Sequence, residues 1–184
     1  GGGLGKPWEN HDRWREVIGV NLWGVINGVH AFTEAMMAQK TACAIVNTGS
    51  KQGVTNPPGS AAYNVSKSGV KTLTEQLSYE LASEAPQVSA HLLVPGFTFT
   101  GIGGQSPTAD KPPGAWTADQ VVDFMLEGLG RGDFYLWCPD NMVTRRMDER
   151  RMQWAADDLI RNRPALSRWR PEFKDEFDAF MDQG

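Results

Sequence analysis

The chain has 184 residues, enough for one domain with a substantial core. Apolar residues make up 40% of it and charged residues 22%, the balance of an ordinary globular protein. A net charge of −4 offers no general attraction to nucleic acid or anionic membrane, and no apolar run approaches the ~20 residues that span a bilayer. Neither is therefore expected as a partner, and the expected location is cytoplasmic. Cys43 and Cys138 each sit in or at the end of an apolar run, as free buried thiols do in a reducing compartment. His11, His30 and His91 form no metal-ligand cluster, so no metal site is expected.

Gly1-Gly2-Gly3-Leu4-Gly5 opens the chain without an initiator Met and runs directly into a helix pattern, as if the chain starts in the middle of a domain. After Pro7, Asn10 or Asp12 can cap a long helix of about residues 11 to 39. Its apolar stripe is Trp14, Val17, Ile18, Val25, Val29, Phe32 and Met36. Asn21 falls on that stripe. It is either a satisfied core amide or a site residue, because an unpaired buried amide costs about 1–3 kcal/mol.

Residues 42–47 suit a strand buried on both faces. Thr48 to Ser60 is a loop, and Ser50 lies just past the C-terminal end of that strand, where open α/β sheets place ligands. A second helix covers about 60 to 83 with Val70, Leu73, Leu77 and Leu81 inward, and carries Tyr63 and Lys67 in its first turns. Val88 to Val94 is a strand closed by Pro95-Gly96. Residues 97–116 are polar, rich in Gly, Pro and Thr, and expected to be mobile. A helix at 117–129 and a strand at 134–138 follow.

Helices alternating with buried strands define a doubly wound parallel sheet with helices on both faces. Only three of its strands are legible, so the others are expected before Gly1. Residues 1–138 form this partial domain, and 139–184 a helical extension of two helices packed on its outside. Arg145, Arg146, Arg150 and Arg151, interleaved with Asp148 and Glu149, are expected to form a solvated face.

Tyr63 and Lys67 are four residues apart, which on a helix stacks a phenol and an ammonium on one face. A free tyrosine titrates near pH ~10 and transfers protons poorly at neutral pH. A neighbouring cation favours the phenolate and brings it into a useful range. Alone, the spacing equally suits a half-buried Tyr beside a solvated Lys. Asn21, Ser50, Thr98 and Thr100 map to the same rim of the sheet, which chance placement does not explain.

These residues resemble the C-terminal two-thirds of a short-chain dehydrogenase/reductase. The likeness is carried by Asn21 in Val20-Asn21-Leu22-Trp23-Gly24, by Ser50 after Ile45-Val46-Asn47-Thr48-Gly49, by Tyr63-x-x-x-Lys67, and by Pro95-Gly96-Phe97-Thr98-Phe99-Thr100. The resemblance implies a partial Rossmann-like fold and an NAD- or NADP-dependent interconversion of an alcohol and a ketone or aldehyde. It implies Tyr63 as the acid/base, Lys67 as its electrostatic partner and a ribose ligand, Ser50 on the substrate oxygen, and Asn21 holding a water of a proton relay. Tyr63 and Lys67 would also meet the cofactor, whose nicotinamide Pro95, Gly96, Thr98 and Thr100 would receive. Ser50, Gln52, Tyr63 and Phe97 would meet the substrate, with Val54, Asn56, Phe99, Ile102 and Trp116 further candidates for its pocket. The parent is expected to be a homodimer or homotetramer.

The family's Thr-Gly-x-x-x-Gly-x-Gly turn and its cofactor-selecting residue are not in the sequence, so the choice between NAD and NADP is not legible. Two other readings stand beside the enzyme: a non-catalytic binding or oligomerisation module of the same fold without a cofactor site, and an epimerase or dehydratase sharing Tyr-x-x-x-Lys. The short C-terminal region disfavours the last.

Overall fold

The computed structural model describes residues 5–101 and 110–182. Its framework is a parallel sheet of three strands in the order β1-β2-β3: β1 Cys43–Thr48, β2 Val88–Val94 and β3 Tyr135–Trp137. Helix α4 (Ala61–Glu84) links β1 to β2, and α5 (Ala118–Arg131) links β2 to β3. The α/β class and the helical tail read from the sequence are therefore observed.

The period-2 alternation of β2 divides the core. Leu92 and Val94 pack with Val70 of α4 and with Trp137, and Val88 and Ala90 pack with Leu81 and Ala85. Leu93 points the other way, into a cluster with Val121 of α5, Leu136 and Cys138. Each such aliphatic side chain, fully buried, contributes about 1.5–3 kcal/mol. Asn47 is the buried polar residue of β1; its amide donates to Thr74 Oγ1 at 3.1 Å, and Thr74 donates to Val70 O at 2.7 Å. That chain of bonds fixes the height of α4 over the sheet.

Two expectations need correction. The helix expected over 11–39 is broken: α1 (His11–Ile18) and α2 (Gly24–Gln39) are joined by a π-helical turn at Gly19–Trp23. Inserting one residue into the ladder in this way locally widens the helix, a device frequent at functional sites. Strand β1 is not buried on both faces, since only Asn47 in it is buried. It is one of the two outer strands of this sheet, and Val25, Val29, Phe32 and Met36 of α2 line an open groove with it instead of a closed core.

The loop expected at 48–60 contains a one-turn helix, α3 (Gln52–Thr55). The tail holds α6 (Arg145–Ile160), two short 3-10 turns and α7 (Lys174–Asp182). Trp154 is its anchor: it meets Phe177 and Phe180 edge-on at 5.3 and 5.2 Å, stacks under Arg163, and donates its indole N–H to Ser167 Oγ at 2.7 Å. The charge run of α6 is not a uniformly solvated face. Asp148 is 2% exposed and points inward. No helix among the described residues is long and apolar enough to cross a membrane, and none of them form a group able to hold a metal.

Candidate active site

Because all three strands are parallel, their C-terminal ends share one rim, from which Ser50, Pro95 to Thr100 and the turn after β3 emerge. The start of α4 reaches the same rim. Its first turn is tied down by Asn64, whose amide donates to Pro57 O at 2.7 Å. One turn further on, Lys67 Nζ lies 5.9 Å from the centroid of the Tyr63 ring and donates to Thr48 O, the last residue of β1, at 2.9 Å. Burial lowers the pKa of Lys67 below the ordinary lysine value.

Asn21 sits at the centre of the π turn and donates to Ser66 Oγ at 3.3 Å; Ser66 in turn donates to Tyr63 O at 2.7 Å. The turn can come this close because α4 has a glycine there: a Cβ on Gly69 would stand 2.9 Å from Leu22. Asn21, Thr48 and Lys67 consequently line one cavity beside the free edge of β1.

Ser50 Oγ accepts from Gln52 N at 3.2 Å, which holds the hydroxyl at the N-terminus of α3. Helix α3 lies directly on α4: a Cβ on Gly53 would be 2.6 Å from the Lys67 carbonyl carbon, and Ser68 Oγ donates to Gly53 O at 2.8 Å. The serine loop is thus built onto the backbone of the lysine it is expected to work with. Gln52 Oε1 is buried without a hydrogen-bond partner among the described residues.

Gly96 lies where Asp140 and Lys51 converge, and Phe97 N donates to Asp140 Oδ2 at 3.3 Å. Thr98 turns its hydroxyl back to Gly96 O at 3.3 Å, and Thr100 is half-buried on the same stretch. The segment begun by Phe97 returns at Trp116: Trp116 N donates to Phe97 O and Phe99 N to Trp116 O, at 2.9 and 2.8 Å. Trp116 is therefore framework, packed edge-on against Phe124 at 5.9 Å, whereas Phe97 is 51% exposed at the rim. Val54 is framework as well, packed on the Val70–Leu92 cluster, while Asn56 closes α3 in a left-handed conformation. Ile102 lies outside the described residues.

Sequence reasoning missed Lys51, Asp140 and Asp148, which meet beneath this rim. Lys51 directly follows Ser50, but nothing in its spacing points to acids some ninety residues away.

Residues 6–111 match the model of the short chain dehydrogenase family, and the chain belongs to that family. Over 84 residues it is 40% identical to the 3-oxoacyl-[acyl-carrier-protein] reductase FabG of Staphylococcus aureus (strain Mu50 / ATCC 700699), a match covering 46% of this chain and 33% of that protein. Among solved structures it is similar to a short chain dehydrogenase/reductase from Burkholderia phymatum in complex with NAD: 28% identity, TM-score 0.76, 89% of this chain and 64% of that one. A short chain dehydrogenase from Burkholderia cenocepacia J2315 in complex with NADP shares the fold at 23% identity, with a TM-score of 0.62 over 84% of this chain and 59% of that one. The chain spans about a third of the length of the curated relatives it matches.

Proposed function

We propose that the protein carrying this chain is an NAD- or NADP-dependent oxidoreductase that interconverts an alcohol and a ketone or aldehyde. The observation that carries this reading is the Tyr63–Lys67 pair, stacked on one helical turn at the sheet rim with Ser50's loop resting on the lysine backbone.

Tyr63 gives a proton to the substrate oxygen in reduction and takes it back in oxidation. Lys67 keeps a positive charge beside the ring, which stabilises negative charge on the phenol oxygen as the proton leaves. Ser50 donates to the same substrate oxygen and orients it. Asn21 holds a water that links Lys67 to solvent.

The residues present fit the nicotinamide end of such a cofactor. An ammonium and an amide line the open groove along β1, with Lys67 bonded to Thr48 at the C-terminal end of the strand, the end at which α/β sheets receive nucleotides. Lys67 would hold its ribose, and Pro95, Gly96, Thr98 and Thr100 its carboxamide. When bound, the cofactor supplies or accepts the hydride. The substrate is a small molecule held between Ser50, Gln52, Tyr63 and Phe97. The exposed ring of Phe97 supports a substrate with an apolar body. Residues 1–138 act as part of one catalytic domain, and 139–184 as an extension packed on it.

Nicotinamide absorbance, followed with both cofactors and a panel of ketones, aldehydes and secondary alcohols on the complete protein, tests the reading. Turnover with at least one pair is expected. No turnover with any pair favours the module without a cofactor site.

A further inference from the structure

We propose that Lys51, Asp140 and Asp148 form a buried ionic clasp that positions the Ser50 loop and the Gly96–Phe97 backbone relative to each other. The three are positioning residues for the reaction, and their catalytic consequence rests on the functional reading above.

Lys51 Nζ lies 2.5 Å from Asp148 Oδ2 and 3.6 Å from Asp140 Oδ2, contacts made by charge without aligned hydrogen bonds. The lysine and aspartate side chains are 15%, 2% and 7% exposed, so the three charges interact at low effective dielectric. Each joins a different part of the rim. Lys51 is the residue after Ser50, and its carbonyl accepts from Thr55 N and Thr55 Oγ1, making it the first turn of α3. Asp140 follows β3; its Oδ1 accepts from Met142 N and Val143 N, while its Oδ2 accepts from Phe97 N. Asp148 comes from α6, where Oδ2 also takes the Trp137 indole N–H at 2.9 Å and Arg151 stands 3.7 Å from Oδ1.

Gly96 records how tightly the clasp closes. A Cβ there would be 2.8 Å from Asp140 Oδ2 and 3.2 Å from Lys51 Nζ, so both charged groups press on the Pro95–Gly96 backbone. Asn141, next to Asp140, donates to Pro113 O and Ala115 O at 2.8 and 3.2 Å, extending the same tie to the strand-like pair of Phe97 and Trp116. Stability alone is a weak account of such a cluster, since a buried ion pair replaced by well-packed apolar groups often loses nothing. Its geometry has a better use. A displacement of about 1 Å in a reacting group can cost on the order of 10²-fold in rate, and these ties set the distance between the serine loop and the loop at the end of β2.

Removing Lys51 alone would strand two buried carboxylates, so the test uses Lys51→Met with Asp148→Asn together in the complete protein, where Asp140 keeps the backbone N–H groups of Phe97, Met142 and Val143. Amide hydrogen exchange is expected to rise at residues 50–56 and 96–98 in the double variant, while the body of α4 keeps its protection. Ser50→Ala should lower kcat in the wild type but add less than about 3-fold in the double variant, because contacting groups couple. Unchanged exchange at both segments overturns the clasp. An equal Ser50→Ala effect in both backgrounds overturns its positioning role. Absence of turnover in the wild type sinks the functional reading and the positioning role with it, while the exchange result still decides the clasp.

Discussion

Tyr135 donates its hydroxyl to Glu75 Oε1 at 2.5 Å across the seam between β3 and α4, and Lys71 closes the group at 2.7 Å from the same carboxylate. Burial, then the Glu75 hydrogen bond, push Tyr135 up to about 12. Ultraviolet titration should therefore show Tyr135 ionising near 12 and not near 10.0. In Glu75→Gln it should move back toward 10.0 without reaching it, because burial remains. An unmoved titration would remove Glu75 from the cause. At this scale Tyr63 and Lys67 were legible because helical period alone stacks them, and Asn21 because a polar residue stood on an apolar stripe. Lys51 and Asp148 were not: their partnership depends on tertiary approach, and the charges around Asp148 read as solvated until folding turns that one residue inward.

Helix α4 organises the site through what packs on it. Alanine is normally the better helix residue than glycine by about 1 kcal/mol, yet Gly53→Ala would press a methyl to 2.6 Å from the Lys67 carbonyl carbon. Backbone cannot swing aside as a side chain can, so overpacking wins. A loss of about 1–3 kcal/mol is expected by chemical denaturation, and unchanged stability would show that α3 shifts freely on α4. The alternation of strands and helices was written in apolar runs, and β2 and α4 fall where those runs place them. The π turn was not, because one inserted residue leaves an apolar stripe nearly intact. Nor was the exposure of β1, since an apolar run states what can be buried and not whether a neighbour covers it.

Across the whole molecule, Val121 of α5 and Met152 of the tail pack on the β2–β3 part of the sheet, while along β1 the π turn and α2 leave Trp23 and Phe32 largely exposed. Cys138 directly follows β3 with no exposed surface, and burial pushes its thiol from 9.0 up to about 11. The sign follows from proton counting. Between about 9 and 11 the unfolded chain has lost this proton while the folded chain keeps it, so stability is intact below that window and falls as pH rises through it. Cys138→Ala should flatten that alkaline fall in denaturation measured against pH, and an unaltered slope would assign it elsewhere. At neutral pH Cys138 should resist alkylation until the chain unfolds.

The central claim is that Tyr63 transfers the proton that accompanies hydride transfer, and Tyr63→Phe in the complete protein tests it most directly. The variant keeps the ring and its packing and deletes only the acidic proton. Turnover is predicted to fall by about 10²–10⁴-fold, with the fold unchanged by circular dichroism. Retention of most of kcat in that variant would contradict the account.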